Sequence, residues 1–390
     1  MNSIKQFNPE RLKAARIYEG FTITDLANAI NVSKQAISQF EHGKAQPSLE
    51  TLLQLMKVLN FPREYFYGRD QDNVQIGSTF FRSSANTNKK VYNSQIQKMK
   101  LFSKIYSFLE EYIDFPPLNL PRVDEYKDDY TDEDIENLTK LIREQWGLGD
   151  GPISNMIYVL EKNGLIVTSL STTNQEKVDA FSQKQIVDGK ERYFIVLGND
   201  KKSAARRQFT AAHELGHLLM HTWIIDIEEL SKEQYREIER QADYFAACLL
   251  LPRESFIKDL HHYNRIEFYI ELKKKWKVSM GAMIVRAYHL DVINYNQYQY
   301  LMRQMSSKGY RVNEPLDDLI NVSNPTVLEK AIKLLLANDI LTAKRILDYL
   351  ELPKEKVDSL LGLEEDTLNF NTNNASLISL SNNSSSRRAN

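Results

Sequence analysis

The chain has 390 residues, enough for two or three domains with buried cores. Its 50 basic and 52 acidic residues give a net charge of −2, which excludes a general electrostatic attraction to nucleic acid or membrane surfaces. The sequence shows no signal peptide and no run of 18 apolar residues, and its single cysteine, Cys248, cannot form an intramolecular disulfide. We therefore expect a cytoplasmic protein with no membrane partner.

The amino-terminal part predicts a compact helical domain. Asn8 is a helix cap, and a proline occupies the first turn that follows it. A tight turn at Asn31-Val32 joins the second and third helices, and Phe61-Pro62 begins a last short helix. The four longer helices are predicted at Pro9–Glu19, Thr24–Ile30, Ser33–Glu41 and Leu49–Leu59.

The stretch that follows is polar and interrupted. Thr79–Arg82 predicts one strand or an anchor, and Lys98–Tyr112 has the apolar period of a long amphipathic helix. This helix packs on a partner, couples two domains or is plain core; the pattern does not choose. Further strands are predicted at Leu165–Leu170, Val178–Gln185 and Arg192–Leu197, with a hairpin turn at Asp188-Gly189.

The segment Ala211–Leu219 contains the spacing His-Glu-x-x-His. Residues four apart share a helix face at about 6 Å, so His213 and His217 can reach one ion. Glu214 is rotated by about 100° from His213, which lets it address a water molecule rather than the metal. Zn²⁺ lowers the pKa of its water to about 7, and a carboxylate then accepts the proton as that water attacks an amide. The motif is short enough to arise by chance, so the surrounding sequence must decide whether it marks a metal site.

A catalytic zinc needs a third protein ligand. Ser231–Leu251 predicts a helix in which Glu239 and Asp243 lie one turn apart at the border of the buried stripe, while Tyr244 falls on the wetter side. An acid facing a core is costly unless it is paired or bound to metal, so Glu239 is assigned as third ligand and Asp243 as acceptor for a ligand imidazole N–H. The alternative is that both flank a core helix and reach solvent. His221 is too far along the helix to share the ion and is interpreted as a helix-end or cleft-wall residue.

Beyond Pro252 the chain is helical again. Ile266–Trp276 and Met280–His289 have helix-turn-helix spacing beside a basic run, a pattern compatible with a DNA contact. Two or three helices follow within residues 325–361, and the Asn- and Ser-rich end is predicted to be disordered.

Over residues 8 to 350 the chain resembles the ImmA/IrrE family of zinc metallopeptidases that carry an Xre-type helix-turn-helix. The matching segments are Ile153–Asn155, Leu160–Val167, Asp179–Ser182, Arg206–Thr210, Glu239–Ala247 and Leu249–Pro252. The resemblance implies a mainly α (α+β) protein whose gluzincin-like centre has a small antiparallel sheet. An edge strand beside the zinc then holds an extended substrate peptide. Tyr193, Arg206 and Arg207 are candidates for oxyanion stabilisation, although a structural role is favoured for each of them.

The domain organisation follows from the same resemblance. The expected parts are a DNA-binding domain (8–68), a linker with a coupling helix (69–123), a zinc metallopeptidase domain (124–300), a helical carboxyl-terminal region (301–365) and a disordered tail (366–390).

In Xre-type domains the amino-terminal end of the second motif helix faces the major groove. Lys34 and Gln35 are then candidates for base contacts, with Ser33, Gln39 and Lys44 nearer phosphates. The domain is nearly charge-balanced, so DNA affinity requires a homodimer or good base contacts. A helix-turn-helix used for protein docking is the alternative.

Two functions are weighed. The first is a DNA-binding regulator with a zinc endopeptidase that cuts a helix-turn-helix repressor, as the family does in mobile elements and stress responses. The second is a repressor or antitoxin-like regulator whose zinc domain is sensing or structural.

Overall fold

The computed structural model describes residues 6–68, 74–81, 89–121, 127, 129–170, 180–198, 203–224, 230–364 and 367–368. Over these residues the chain forms 17 helices and one four-stranded sheet, which confirms a mainly α protein with a small sheet. The predicted tail falls outside the described residues except for two positions. Among the described helices, none is long and apolar enough to cross a membrane.

Five helices build the amino-terminal domain, each within about two residues of its predicted bounds. Asn8, Thr22, Ser33 and Ser48 cap the first four through their side-chain oxygens. Asn31 turns the chain between the second and third helices with a φ of 54°. The helices are α1 (Pro9–Tyr18), α2 (Ile23–Ala29), α3 (Lys34–Glu41), α4 (Leu49–Leu59) and α5 (Arg63–Tyr67).

A buried ion pair fixes α3 against α1. The Arg16 guanidinium donates to both carboxylate oxygens of Glu41, at 2.5 and 3.0 Å, and to the carbonyl oxygen of Phe21. Because two parallel hydrogen bonds define the relative orientation of both side chains, the pair sets how α3 is presented.

The sheet has the order β1-β3-β4-β2. Its strands are β1 (Val74–Phe81), β2 (Ile166–Leu170), β3 (Ala180–Val187) and β4 (Lys190–Gly198). Asp188 and Gly189 have φ values of 50° and 80°, so the predicted hairpin turn between β3 and β4 is a type I′ turn.

The expectation of a purely antiparallel sheet is wrong at one pairing. β1 and β3 pair antiparallel, and so do β3 and β4, but β2 runs parallel to β4. The chain reverses its direction in the β3–β4 hairpin, and β4 lies between β3 and β2. As a result, β4 runs in the same direction as β2.

The remaining helices surround the sheet. The first begins well before its predicted start at Lys98, and α8, α11 and α14 were not predicted individually. They are α6 (Lys89–Glu110), α7 (Asp132–Gln145), α8 (Met156–Lys162), α9 (Ala204–Met220), α10 (Lys232–Leu250), α11 (Arg253–Asp259), α12 (Ile266–Trp276), α13 (Met280–His289), α14 (Tyr295–Ser307), α15 (Val327–Ala337), α16 (Ala343–Leu350) and α17 (Lys354–Leu361).

The sheet separates two hydrophobic cores. Alternate strand residues point to opposite faces, so Val167 and Ile195 join the core around α9 and α10, whereas Ile166 and Phe194 join the opposite one. The second core continues through α6 into the amino-terminal domain and the carboxyl-terminal helices. The long helix therefore couples parts of the same chain.

The carboxyl-terminal helices hold the amino-terminal domain directly. The Lys356 ammonium lies 4.6 and 4.4 Å from the ring centres of Tyr18 and Phe61, and it also pairs with Glu19. Arg11 pairs with Glu351. Two basic residues of the DNA-binding domain, Arg11 and Arg16, are thus held in ion pairs within the protein.

Candidate metal centre and DNA-binding surface

Helices α9 and α10 pack closely enough to share one site. A Cβ added at Gly216 would lie 3.0 to 3.3 Å from the Phe245 side chain, so the smallest residue lets α10 approach the helix that bears the two histidines. Tyr244, expected on the wet side of α10, is buried. The reason is a second interface: α7 covers this side, and Glu136 accepts a hydrogen bond from the Tyr244 hydroxyl at 3.3 Å.

Three predicted ligand side chains converge. The Nε2 atoms of His213 and His217 lie 3.0 Å apart, and the Glu239 carboxylate oxygens lie 3.6 Å from His213 Nε2 and 3.4 Å from His217 Nε2. The structure thus brings two histidines and one glutamate together, with one potential ligand atom from each residue within 4.8 Å of the others. Tetrahedral ligands at 2.0–2.1 Å from zinc are about 3.3 Å apart, so the spacing and the N₂O donor set fit this ion.

Asp243 orients the first histidine. His213 Nδ1 lies 2.7 Å from Asp243 Oδ1, so the ring donates its Nδ1–H to the carboxylate and turns the Nε2 lone pair toward the shared site. The Asp243 side chain is 54% exposed, whereas His213 is fully buried. The acid placed one turn from Glu239 therefore contacts a histidine rather than only solvent.

His221 orients the second histidine. His217 Nδ1 lies 3.0 Å from His221 Nδ1, and His221 Nε2 lies 2.9 Å from Gln241 Oε1. If His217 donates its Nδ1–H to His221, which in turn donates its Nε2–H to Gln241, every ring nitrogen is satisfied. Burial, assisted by the positive charge of His217 when that ring is protonated, lowers the pKa of His221 to about 3, which keeps the His221 ring neutral. His221 lies at the end of α9 as predicted, but its contact with His217 was missed, although the four-residue spacing signals it.

The site is closed on the histidine side. His213, Glu214 and His217 have at most 1% of their surface exposed, and only Glu239, with its side chain 25% exposed, opens toward solvent. Burial raises the pKa of Glu239, but when the two histidines are protonated, the hydrogen bond from His217 and the positive charges of both rings lower it by more, so the net shift is downward. The Glu239 carboxyl group is accordingly an anion, as a ligand of a metal cation should be.

Phe80 of β1 covers His217. The two rings are stacked, with centroids 4.8 Å apart and planes at 3°, and Phe80 is 2% exposed. It packs with Ile224 beyond α9 and with Ile238 on α10. Sequence reasoning found a strand or anchor here but no link to the metal site, because nothing local in a strand indicates which distant ring it will contact.

The three candidates for oxyanion stabilisation make structural contacts. The Tyr193 hydroxyl donates to Glu191 at 3.1 Å. Arg206 donates to the carbonyl oxygens of residues 311 and 312, and Arg207 to those of Gly198 and Ser323. The geometry therefore favours the structural alternative for all three.

The predicted DNA-contacting side chains share an exposed surface. Ser33, Lys34, Gln35, Gln39 and Lys44 are all exposed, on α3 and the turn after it. Ser33 Oγ also accepts a hydrogen bond from the Ala36 N–H at 3.1 Å, so this residue caps the helix. The surface is available to a major groove, as α3 begins where such contacts are made.

The three lysines within α12 are each paired with an acid. Lys273 is buried between Glu314 and Asp317, at 2.8 and 2.7 Å. Lys274 pairs with Glu271, and Lys275 with Asp259. These contacts argue against a second DNA-binding surface.

Comparisons with known families agree with this geometry. The model of the M78 peptidase family, described as "IrrE N-terminal-like domain", matches residues 161–288. The model described as "Helix-turn-helix" matches residues 12–66. The chain joins a helix-turn-helix domain to an IrrE-like peptidase domain. The IrrE-like match contains β2, β3, β4 and both ligand-bearing helices, whereas β1 lies outside it.

Two relatives from Bacillus subtilis (strain 168) resemble part of the chain. "HTH-type transcriptional regulator ImmR" is 28% identical over 91 residues, which are 23% of this chain and 66% of ImmR. "SPbeta prophage-derived uncharacterized HTH-type transcriptional regulator YonR" is 32% identical over 56 residues, which are 14% of this chain and 52% of YonR. The chain thus spans about two thirds of one relative and half of the other. The helix-turn-helix match indicates a DNA-binding domain.

Proposed function

We propose that this chain is a DNA-binding regulator whose IrrE-like domain is a zinc endopeptidase acting on another regulatory protein. The observation that carries the proposal is the convergence of His213, His217 and Glu239, with Glu214 next to His213 on the same helix. Three protein ligands that leave a fourth position open are typical of catalytic rather than structural zinc.

His213 and His217 would hold the ion through Nε2, and Glu239 through its carboxylate. Asp243 and His221 would hold the two rings in the tautomer that presents those lone pairs. A bound Zn²⁺ would supply Lewis acidity, which polarises a peptide carbonyl and acidifies water. The single anionic ligand leaves the site a net positive charge, which attracts a carbonyl oxygen.

Glu214 would act as general base. Its carboxylate is outside the three-donor group and fully buried, so a proton taken from the attacking water is held at an oxygen screened from solvent. The same carboxyl group would then give the proton to the leaving amine. His213 would thus hold the ion while its neighbour Glu214 would accept and return the proton, so the mechanism needs both residues in the same helical turn.

The substrate we propose is a helix-turn-helix repressor, cut in an extended segment. The chain resembles the named regulators ImmR and YonR through part of its length, and an accompanying DNA-binding domain would bring the peptidase to an operator that such a repressor also binds. A homodimer is part of the proposal, because the two half-sites of an operator compensate for a weakly charged domain.

A sensing or structural role for the metal is the second candidate. It is favoured by the burial of His213, Glu214 and His217, which closes the site to a peptide in the described conformation. In that case zinc would stabilise the fold and thereby the DNA-binding state, and no peptide bond would be cut.

The decisive experiment compares new protein amino-termini in cells that carry the wild type or Glu214→Gln, with and without DNA damage. We expect a terminus that appears only with the wild type, within a helix-turn-helix protein. Identical termini in both strains under both conditions, with zinc bound in both proteins, would favour the second candidate. Repression that persists unchanged in Glu214→Gln would support the same conclusion.

A further inference from the structure

Strand β1 fills the edge of the peptidase sheet that lies beside the metal centre. It pairs antiparallel with β3 from Val74↔Val187 to Phe81↔Phe181, with an irregularity between Ile76 and Thr79. The family match begins at residue 161, so β3 is the edge strand of the matched domain and β1 is an addition from the preceding segment. An exposed edge strand is where an extended peptide adds by backbone hydrogen bonds.

The side chains of β1 bind the same surfaces that a substrate strand would use. Phe80 faces Ser182 in the register and its ring stacks on His217. On the opposite face, Gln183 Nε2 donates to Thr79 Oγ1 at 2.6 Å. One strand therefore occupies the backbone edge and one face of a ligand histidine together.

The contact with His217 covers one of the two histidines of the site. Phe80 lies with Ile224 and Ile238 in a small cluster separate from both large cores, so its anchorage depends on few neighbours. A strand held by one edge and a small apolar cluster separates at lower cost than one buried between two others. The β3–β4 pairing, by contrast, lies inside the sheet.

We propose that β1 is a built-in competitor of the peptide substrate, which keeps the peptidase closed until the strand leaves the β3 edge. The inference rests on the proposed peptidase function. Its corollary names the substrate class: an extended segment that pairs antiparallel with β3 and places an aromatic side chain where Phe80 stacks on His217.

The position of β1 in the chain connects this competitor to the DNA-binding domain. β1 follows α5, the last helix of that domain, and precedes α6, which packs on α1. Along the chain, the strand therefore lies between a helix of the amino-terminal domain and a helix that packs on that domain. Release of β1 is thus a route by which operator or partner binding can open the site.

A reversible crosslink tests the proposal in the full-length protein. Gln75 and Ile186 face each other across β1 and β3, away from Phe80 in the register, so Gln75→Cys with Ile186→Cys forms a disulfide that locks the strand. Ile186→Cys with Glu191→Cys is the matched control, because it crosslinks β3 to β4 instead. The native Cys248 is buried and its thiol pKa is raised by burial, so it does not compete for oxidation.

The readout is the rate at which excess EDTA removes Zn²⁺, measured before and after reduction of each disulfide. We expect the β1–β3 lock to slow removal at least tenfold, about 1.4 kcal/mol in barrier, and reduction to restore the wild-type rate, with no change in the β3–β4 control. Equal rates in the locked and reduced forms would overturn the proposal. Absence of cleavage with zinc bound would count against the peptidase alone, since zinc removal still decides the role of β1.

Hydrogen exchange of the metal-free protein provides a second measurement that needs neither zinc nor activity. If β1 detaches from a persistent sheet, its amides exchange at least tenfold faster than those of β4. Equal protection of both strands would overturn the proposal. Phe80→Ala should further speed β1 exchange, whereas Phe108→Ala, which truncates an equally buried phenylalanine (2% exposed) in α6, should not change the ratio of β1 to β4.

Discussion

The metal centre and the α3 surface are built in opposite ways. At the metal centre each ligand histidine is held by a second side chain, Asp243 for His213 and His221 for His217, and the rings are buried. At α3 the predicted DNA-contacting side chains are exposed, and only the capping of Ser33 fixes one of them locally. The buried, doubly held histidines are what a site proposed for one small ion requires, while the exposed α3 side chains are what a surface proposed for a large partner requires. Substitutions should therefore act steeply at the centre and gradually at the surface.

The largest effect is expected for Glu214→Gln. The substitution keeps the shape of the side chain but removes its basicity, so cleavage should fall by about 10²–10⁴-fold, the usual contribution of a general base. Metal content should not change, because Glu214 lies outside the three-donor group. Single-turnover cleavage of the substrate found by terminus analysis, with zinc quantified in the same samples, measures both. Cleavage at the wild-type rate would remove Glu214 from the chemistry.

His221 offers the next test of preorganisation. His221→Leu removes the acceptor for His217 Nδ1, and the loss of such a supporting partner typically costs about 10–100-fold in metal affinity. His221→Asn restores an acceptor near the position of Nδ1 and should recover part of the loss. Competition with a chelator of known affinity measures the change, and the melting temperature of the metal-free variants controls for a general packing defect. Equal affinities for the Leu and Asn variants would mean that His221 only fills space.

The α3 surface should respond residue by residue. Lys34→Ala or Gln35→Ala should weaken operator binding by about 1–3 kcal/mol for each good base contact and relax specificity at one base pair. Lys44→Ala should weaken binding to all sequences alike and reduce the salt slope by about one. Titration of operator and scrambled DNA at several salt concentrations separates the two classes. Undiminished binding in all three variants would favour the protein-docking alternative.

The smallest effect is expected at α12. Lys274→Ala and Lys275→Ala remove exposed lysines that already pair with Glu271 and Asp259, so DNA affinity should change by less than about twofold. The same salt titration applies. A reduced salt slope in these variants would show that the DNA-binding surface extends to the peptidase domain.

Local patterns predicted the elements that local interactions determine. Helix caps and the apolar period placed α3, α10, α12 and α13 within about a residue. The four-residue spacing of two histidines in α9, together with an acid on α10, identified the converging side chains. Such patterns could not predict contacts between residues that are distant in the sequence. The parallel β2–β4 pairing, the burial of Tyr244 under α7 and the stacking of Phe80 on His217 each depend on a partner far away in the sequence.

Zinc stoichiometry measured by native mass spectrometry tests whether His213, His217 and Glu239 form a metal centre. The samples are the wild type, Glu214→Gln, Glu239→Ala and His217→Ala, each purified with limiting Zn²⁺. We predict one tightly bound zinc in the wild type and in Glu214→Gln, and its loss in Glu239→Ala and His217→Ala. Retention of zinc in both ligand variants, or its loss in Glu214→Gln with the fold intact, would contradict the assignment of the metal centre.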